Sequence, residues 1–306
     1  MPIPGLLLID KESNWTSHDV VAKVRGLAGT RKVGHAGTLD PMATGLLLIG
    51  VESATKLLTF LVGESKTYTA TIRLGASTVT DDREGDFLTQ AEPGKVLAIS
   101  TPQLEAALDA LRGEIMQVPS SVSAIKVDGQ RAYAKVRGGD EVKLAARPVT
   151  ISRFSIDAEP RLVDEQYLDL DVTVECSSGT YIRALARDLG EALGVGGHLT
   201  ALRRTHIGRY SVEQAKTIGE FQKIKQEGKD LPILASAQAA QQQFLTRVLN
   251  PQEVIDIRHG KRIPADSAPK EVAIAALDQA GNLIAMLERS GGQLKSSVVF
   301  SEGANA

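Results

Sequence analysis

The chain has 306 residues and a formal net charge of −2, from 35 Lys and Arg against 37 Asp and Glu. That length suggests about two domains at roughly 150 residues each, and a composition 42% hydrophobic and 24% charged excludes disordered and fibrous classes. The near balance of charge argues, at first reading, against a nucleic-acid partner, because phosphate binders carry a basic excess.

In chain order, residues 6–9 predict a short buried strand with a turn after it. Thr16 or Ser17 can cap a helix whose apolar stripe is Val20, Val21, Val24 and Leu27 and whose stop is Gly29. Residues 29–45 hold four glycines and one proline and read as a loop. A buried strand follows at 46–51, and Ser53 reads as the cap of a helix through Leu57, Leu58 and Leu61. Residues 66–74 alternate, with Tyr68, Ala70, Ile72 and Leu74 on one side. Residues 81–86 form an acidic loop, and Thr101 with Pro102 opens a helix through Leu104, Leu108 and Leu111. Pro119, Gly138 and Gly139 break any pattern across 113–149. Alternation returns at 167–176, and 181–193 predict a strong helix stopped by Gly194. Residues 222–243 read as helix or linker. From about Arg247, short alternating segments at 254–257, 272–277, 283–287 and 298–300 predict a small all-β tail.

The single Cys176 cannot form an internal disulfide, which fits a reducing compartment, and the five histidines show no ligand spacing, so no metal is expected. No apolar run approaches the ~20 residues that span a bilayer. No basic region precedes the first apolar run, so no secretory signal is expected and the cytoplasm is.

Residues 34–45, Gly-His-Ala-Gly-Thr-Leu-Asp-Pro-Met-Ala-Thr-Gly, carry the most chemistry. Glycines permit close approach of a ligand. Pro41 fixes its own φ and biases Asp40 toward an extended backbone, which holds one carboxylate on a stiffened loop. A structural turn in which Asp40 caps backbone amides stands equal to a chemical role on spacing alone. A phosphate loop is weaker, because both the Gly-Lys-Ser/Thr ending and a Gly-x-Gly-x-x-Gly run are absent. If Asp40 is chemical, it is a lone carboxylate serving as nucleophile or base.

This segment resembles the Gly-x-x-Gly-Thr-Leu-Asp-Pro-x-Ala-x-Gly motif of the TruB-type pseudouridine synthases. Three companions agree in order: Lys66-Thr67-Tyr68 with Leu74-Gly75, the run from Ser123-Ala124-Ile125-Lys126 to Arg131-Ala132-Tyr133, and Tyr181-Ile182-Arg183 with Leu202-Arg203-Arg204. The match runs from about Leu6 to Tyr210, and the tail resembles the family's PUA-type RNA-binding domain more loosely. The resemblance implies an α/β (α+β) pseudouridine synthase fold, with a central mixed, mostly antiparallel sheet, flanking helices and a small all-β PUA-like C-terminal domain. The expected division is a catalytic domain at 1–245, with 113–149 as an RNA-clamping insertion, and an RNA-binding domain at 246–306.

The implied reaction is isomerisation of uridine to pseudouridine at position 55 in the tRNA T-loop, with no cofactor and no metal. The target base must leave its stack, which is cheaper in a loop than in a duplex. Asp40 is then the catalytic aspartate, by attack on the ribose or by deprotonation. Tyr68, on its own a core aromatic, becomes the residue that stacks on the uracil. Arg183, on its own a solvated helix arginine, becomes the partner that keeps the aspartate ionised. Tyr181 and Leu202 line the uridine pocket, His35 lies against the RNA, and Lys126 and Arg131 contact it. The expected partner is the tRNA T-arm, bound by a monomer without an obligate protein partner and without a membrane. The rival reading is a non-catalytic RNA-binding or tRNA-chaperone module.

Two segments depart from the family pattern. Pro119-Ser120-Ser121-Val122 stands where Pro-Pro-x-Tyr is common, and Val79 stands where an extra aspartate is usual in the acidic loop. The charge reading also changes on division. Residues 126–153 hold seven basic against three acidic side chains, and 183–209 hold five arginines, whereas 157–175 hold seven acids. A segregated surface is expected, with salt-sensitive RNA binding on one face.

Overall fold

The computed structural model describes residues 3–120, 144–265, 268–269 and 272–300, with the backbone of 126–127 and 130–131. The chain divides into two compact units, residues 1–64 with 207–306, and residues 65–206.

In the first unit, Gly5–Lys11 and Thr44–Val51 pair antiparallel from Gly5↔Val51 to Lys11↔Gly45. Both are near-continuous apolar runs because both faces are buried, with Leu6, Leu7, Ile9 and residues 46–49 closed to solvent. The stretch expected as one loop at 29–45 contains a further strand, Val33–Ala36, paired to Thr44–Val51 from Val33↔Val51 to Ala36↔Leu48. Its glycine and histidine hid it, yet Val33 and Ala36 point into the core. The helix Ser17–Ala28 is capped by Thr16, which accepts from the Asp19 N–H while Asp19 accepts from the Thr16 N–H. The helix expected from Ser53 is instead a 3-10 turn, Glu52–Lys56, followed by a single turn, Leu58–Leu61, and the Ser53 side chain caps neither.

The C-terminal region is strand-rich, as expected. Its five strands run in the order Leu245–Val248, Ile274–Leu277, Leu283–Ser290, Gln293–Val299 and Ile263–Pro264; the first pair is parallel and the others antiparallel. Residues 254–257 are not a strand. They belong to the helix Pro251–Arg258, which Asn250 caps reciprocally with Glu253 and which opens on a proline. Asn250-Pro251, a pair that also suits a turn, here starts a helix. Leu249, Ile257, Ile263, Ile284 and Leu294 form one core beneath this sheet. On its other face Ala275, Leu277, Leu283, Met286 and Phe300 pack into a single cluster with Leu6, Leu46, Leu48, Leu57 and Leu58.

In the second unit the sheet order is Gly197–Ile207, Lys66–Leu74, Tyr167–Cys176, Arg147–Ile156 and Gly113–Gln117. The last four pair antiparallel along the sheet. Tyr68 lies opposite Val174. The alternation expected at 66–74 holds, with Tyr68, Ala70, Ile72 and Leu74 buried; at 167–176 it holds for Leu170, Val172, Val174 and Cys176, but Leu168, expected inward with them, is half-buried between buried Tyr167 and Asp169. Asp169 interrupts the inward pattern as a buried carboxylate, taking two bonds from Arg73 at 2.7 and 2.9 Å. The helix Ile182–Ala192 follows, and Gly190 is required there: a Cβ would lie 2.1 Å from the backbone nitrogen of Gly197. Helix and following strand are thereby packed backbone to backbone. Lys126–Val127 and Gln130–Arg131 pair antiparallel, but the side chains of Lys126 and Arg131 lie outside the described residues.

Candidate functional site

Asp40 and His35 belong to the first unit, and Tyr68, Tyr181, Arg183 and Leu202 to the second. Asp40 is half-buried and opens a tight turn in which the Ala43 N–H donates to the Asp40 carbonyl at 3.1 Å, with Pro41 at the position that suits its fixed φ. Gly37 and Gly45 flank the loop at φ 78° and 99°, angles a side chain resists.

The turn after the first strand grips this loop by its carbonyls. The Ser17 hydroxyl takes the Leu39 N–H at 2.9 Å and reaches the Leu39 carbonyl at 3.2 Å. The Asn14 N–H donates to the Pro41 carbonyl at 2.8 Å, from a left-handed backbone at φ 67°. Lys11 is 1% exposed, and its ammonium donates to the carbonyls of Trp15 at 2.7 Å, Glu12 at 3.0 Å and Pro41 at 3.2 Å. Ser13 reaches the Met42 carbonyl at 3.4 Å. Every carbonyl from residue 39 to 42 therefore has a donor, and the loop is rigid because its polar backbone is satisfied in place. Leu39, Met42 and Ala43 are buried beneath it. His35, half-buried on the strand Val33–Ala36, meets the His18 ring edge-on at 5.7 Å.

Arg183 sits in the first turn of the helix Ile182–Ala192 and is only 5% exposed, so it is not the solvated helix arginine that the pattern alone allows. One terminal nitrogen donates to the Thr80 carbonyl at 2.8 Å and to the Ser120 hydroxyl at 3.3 Å, and lies 3.5 Å from the Asp82 carboxylate. The other oxygen of Asp82 takes the Thr80 hydroxyl at 2.5 Å and the Glu84 N–H at 3.0 Å. Next to this pair stands a second one, Arg187 with Asp81 at 3.4 Å. Burial pushes the Asp81 carboxyl up from its ordinary range, against the pull of the Ser120 hydroxyl and of Arg187 and Arg183. Burial likewise raises Asp188, which Arg187 also holds.

These contacts correct the acidic loop expected at 81–86 as surface charge: Asp81 and Asp82 are buried and paired. They also correct the basic stretch at 183–209, because Arg183 is buried and Arg204 is 1% exposed. Burial forces charges to pair, so a charge count over a segment overstates what it offers to RNA.

Tyr68 is buried on its strand, and Leu202 is buried on the strand Gly197–Ile207. Half-buried Tyr181 is the residue before the helix, and its peptide is held from both sides by Gln117, which accepts from the Tyr181 N–H at 2.9 Å and donates to its carbonyl at 3.0 Å. Gln117, Ser120 and Asp81 had no signal in periodicity, and Arg187 had only its i,i+4 spacing from Arg183 on one helix face. The one hint was that both segments involved, 79–82 and 119–122, depart from the family pattern. Of the basic strip, Arg147 and Arg153 are exposed, and Arg153 lies 3.5 Å from Glu175. Among the described residues no helix is long and apolar enough to cross a membrane.

Residues 25–182 match the family described as TruB family pseudouridylate synthase (N terminal domain). Residues 183–255 match the tRNA pseudouridylate synthase B C-terminal domain, and 244–301 match tRNA Pseudouridine synthase II, C terminal. A protein of Arthrobacter sp. (strain FB24) called tRNA pseudouridine synthase B is 54% identical over 306 residues, covering 98% of this chain and 97% of its own. One of the same name from Nocardia farcinica is 50% identical, covering 98% and 93%. Among solved structures, a chain of an H/ACA RNP bound to a substrate RNA containing 2'-deoxyuridine superposes with a TM-score of 0.70 at 20% identity, covering 99% of this chain and 87% of that one. A chain of a Cbf5-Nop10-Gar1 complex does so with the same TM-score at 22% identity, covering 99% and 87%. At that identity the likeness speaks for the fold.

Proposed function

Because the chain belongs to the TruB family of pseudouridylate synthases, we propose that it converts the T-loop uridine at position 55 of tRNA to pseudouridine with Asp40 as the catalytic carboxylate. It is a tRNA pseudouridine synthase by that membership. The observation that carries the site assignment is the grip of residues 11–17 on the carbonyls of 39–42, which presents one carboxylate on a backbone already held in place. Preorganisation of this kind lowers the reorganisation needed when charge develops at the ribose.

In this reading the uracil leaves its stack and rests on Tyr68, with Tyr181 and Leu202 lining its pocket and His35 against the RNA. The bond from N1 to the ribose breaks, the uracil turns, C5 joins the same ribose carbon, and the C5 hydrogen is released as a proton while N1 gains one. Asp40 serves by attack on the ribose or by deprotonation. Arg183 orients the carboxylate; its guanidinium is itself immobilised by Thr80, Ser120 and Asp82, which supports a fixed task over a mobile phosphate contact. Lys126 and Arg131, with the region 246–306, contact the tRNA, and the protein works in the cytoplasm.

The test is tritium release from tRNA carrying 5-tritiated uridine. Wild type releases it and Asp40→Ala does not. Substantial release by Asp40→Ala refutes the site assignment, and silence from both proteins favours the RNA-binding or chaperone rival.

A further inference from the structure

We propose that Ser120, Asp81 and Arg187 are positioning residues that fix the guanidinium of Arg183 for the reaction. The inference rests on the site reading of Arg183 above and extends it to residues that touch neither substrate nor Asp40 in that reading.

An arginine side chain has many rotamers, and holding it in one needs several acceptors at once. Acceptors of Arg183 come from at least two segments: the Thr80 carbonyl and Asp82 from one, and the Ser120 hydroxyl from the other. Asp81 lies between Thr80 and Asp82 and has a left-handed backbone at φ 57°, a conformation that persists only where its surroundings impose it. Three contacts from outside its own loop help impose it. The Leu199 N–H donates to the Asp81 carbonyl at 3.0 Å, the Ser120 hydroxyl donates to the Asp81 carboxylate at 2.7 Å, and Arg187 faces the same oxygen at 3.4 Å.

Arg187 also donates to the Val118 carbonyl at 2.7 Å, so it ties the segment carrying Ser120 to the loop carrying Asp81. The Ser120 hydroxyl has one proton. Its 2.7 Å contact with Asp81 is shorter than its 3.3 Å contact with the Thr80 carbonyl, so the proton goes to Asp81 and a lone pair is left for Arg183. Ser120 is fully buried, and no solvent replaces that acceptor. The chain Arg187, Asp81, Ser120, Arg183 is thus one connected network, in which each member orients the next.

The test measures single-turnover tritium release with enzyme in excess, alongside tRNA Kd and the thermal midpoint. Ser120→Ala changes no charge and removes one hydroxyl; it is expected to slow release about tenfold while Kd stays within about twofold. In an Arg183→Lys background the same substitution is expected to change the rate less than about twofold, because the group it positions is gone. Should Ser120→Ala fail to fold, Asp81→Asn carries the same cycle: its amide oxygen still accepts from Ser120, but the charge facing Arg187 is lost. A wild-type rate in both variants overturns the proposal. So does a slowing that multiplies unchanged in the Arg183→Lys background, which marks a structural role, or a weakened Kd with normal turnover of bound RNA. Absence of release by wild type overturns the function reading instead.

Discussion

The hydroxyl of Ser17, in the first turn of its helix, meets both polar groups of Leu39, the residue before Asp40: it accepts from the N–H at 2.9 Å and lies 3.2 Å from the carbonyl oxygen. Both residues are buried, so the serine is the agent that lets a polar backbone enter the core beside the loop that carries Asp40. Ser17→Ala leaves the Leu39 groups unsatisfied. The expected cost is about 2 kcal/mol of folding free energy, read from urea unfolding. Turnover is expected to fall more than tRNA affinity, because the loop that carries Asp40 loses its anchor. Equal stability of variant and wild type would show that the bond contributes nothing net.

The C-terminal region shares its core with the first strands of the chain, through Ala275, Leu277, Leu283, Met286 and Phe300 against Leu6, Leu46, Leu48, Leu57 and Leu58. Removing residues 246–306 bares that cluster. At roughly 1.5–3 kcal/mol for each large buried side chain, the loss rivals the whole stability of a domain. A 1–245 fragment is expected to bind a hydrophobic dye and to lack a cooperative melt. A cooperative melt near that of the full chain would mean that the two regions fold apart.

Buried His198 has its Nδ1 2.9 Å from the Ala76 carbonyl and its ring edge-on to Phe87. Burial lowers its pKa below the ordinary 6.5, despite the Ala76 bond; Arg73 adds to the lowering, and Asp169 and Asp82 oppose it. The unfolded chain therefore takes up this proton first as pH falls. The stability tied to the neutral ring is present above about pH 6.5 and is lost on acidification toward the folded pKa. Between about pH 7.5 and pH 5 the melting temperature of wild type is expected to fall further than that of His198→Gln. Parallel curves would remove His198 from the account.

Cys176 ends a central strand, and burial pushes its thiol up to about 11. The thiolate is the reactive form, so the native protein is expected to resist a thiol-specific disulfide reagent at about pH 8. The unfolded chain should release one equivalent per protein. Rapid labelling of the native state would show that the strand opens.

Alternation at 66–74 and 167–176 declared two strands and their inward faces, because a period of two is a property of neighbouring residues alone. The glycines and proline around Asp40 marked the loop for the same reason, and the motif resemblance carried the family. Local signals failed where two patterns overlap. Asn250-Pro251 suits a turn and a helix start alike, and Val33–Ala36 is a strand written in loop-like residues. Only the tertiary structure decided the fate of the charges. Asp81 and Asp82 read as surface acids until Arg183 and Arg187, about a hundred residues away, were brought against them. Periodicity carries no information about a partner at that separation; burial, which makes an unpaired charge costly, selects it.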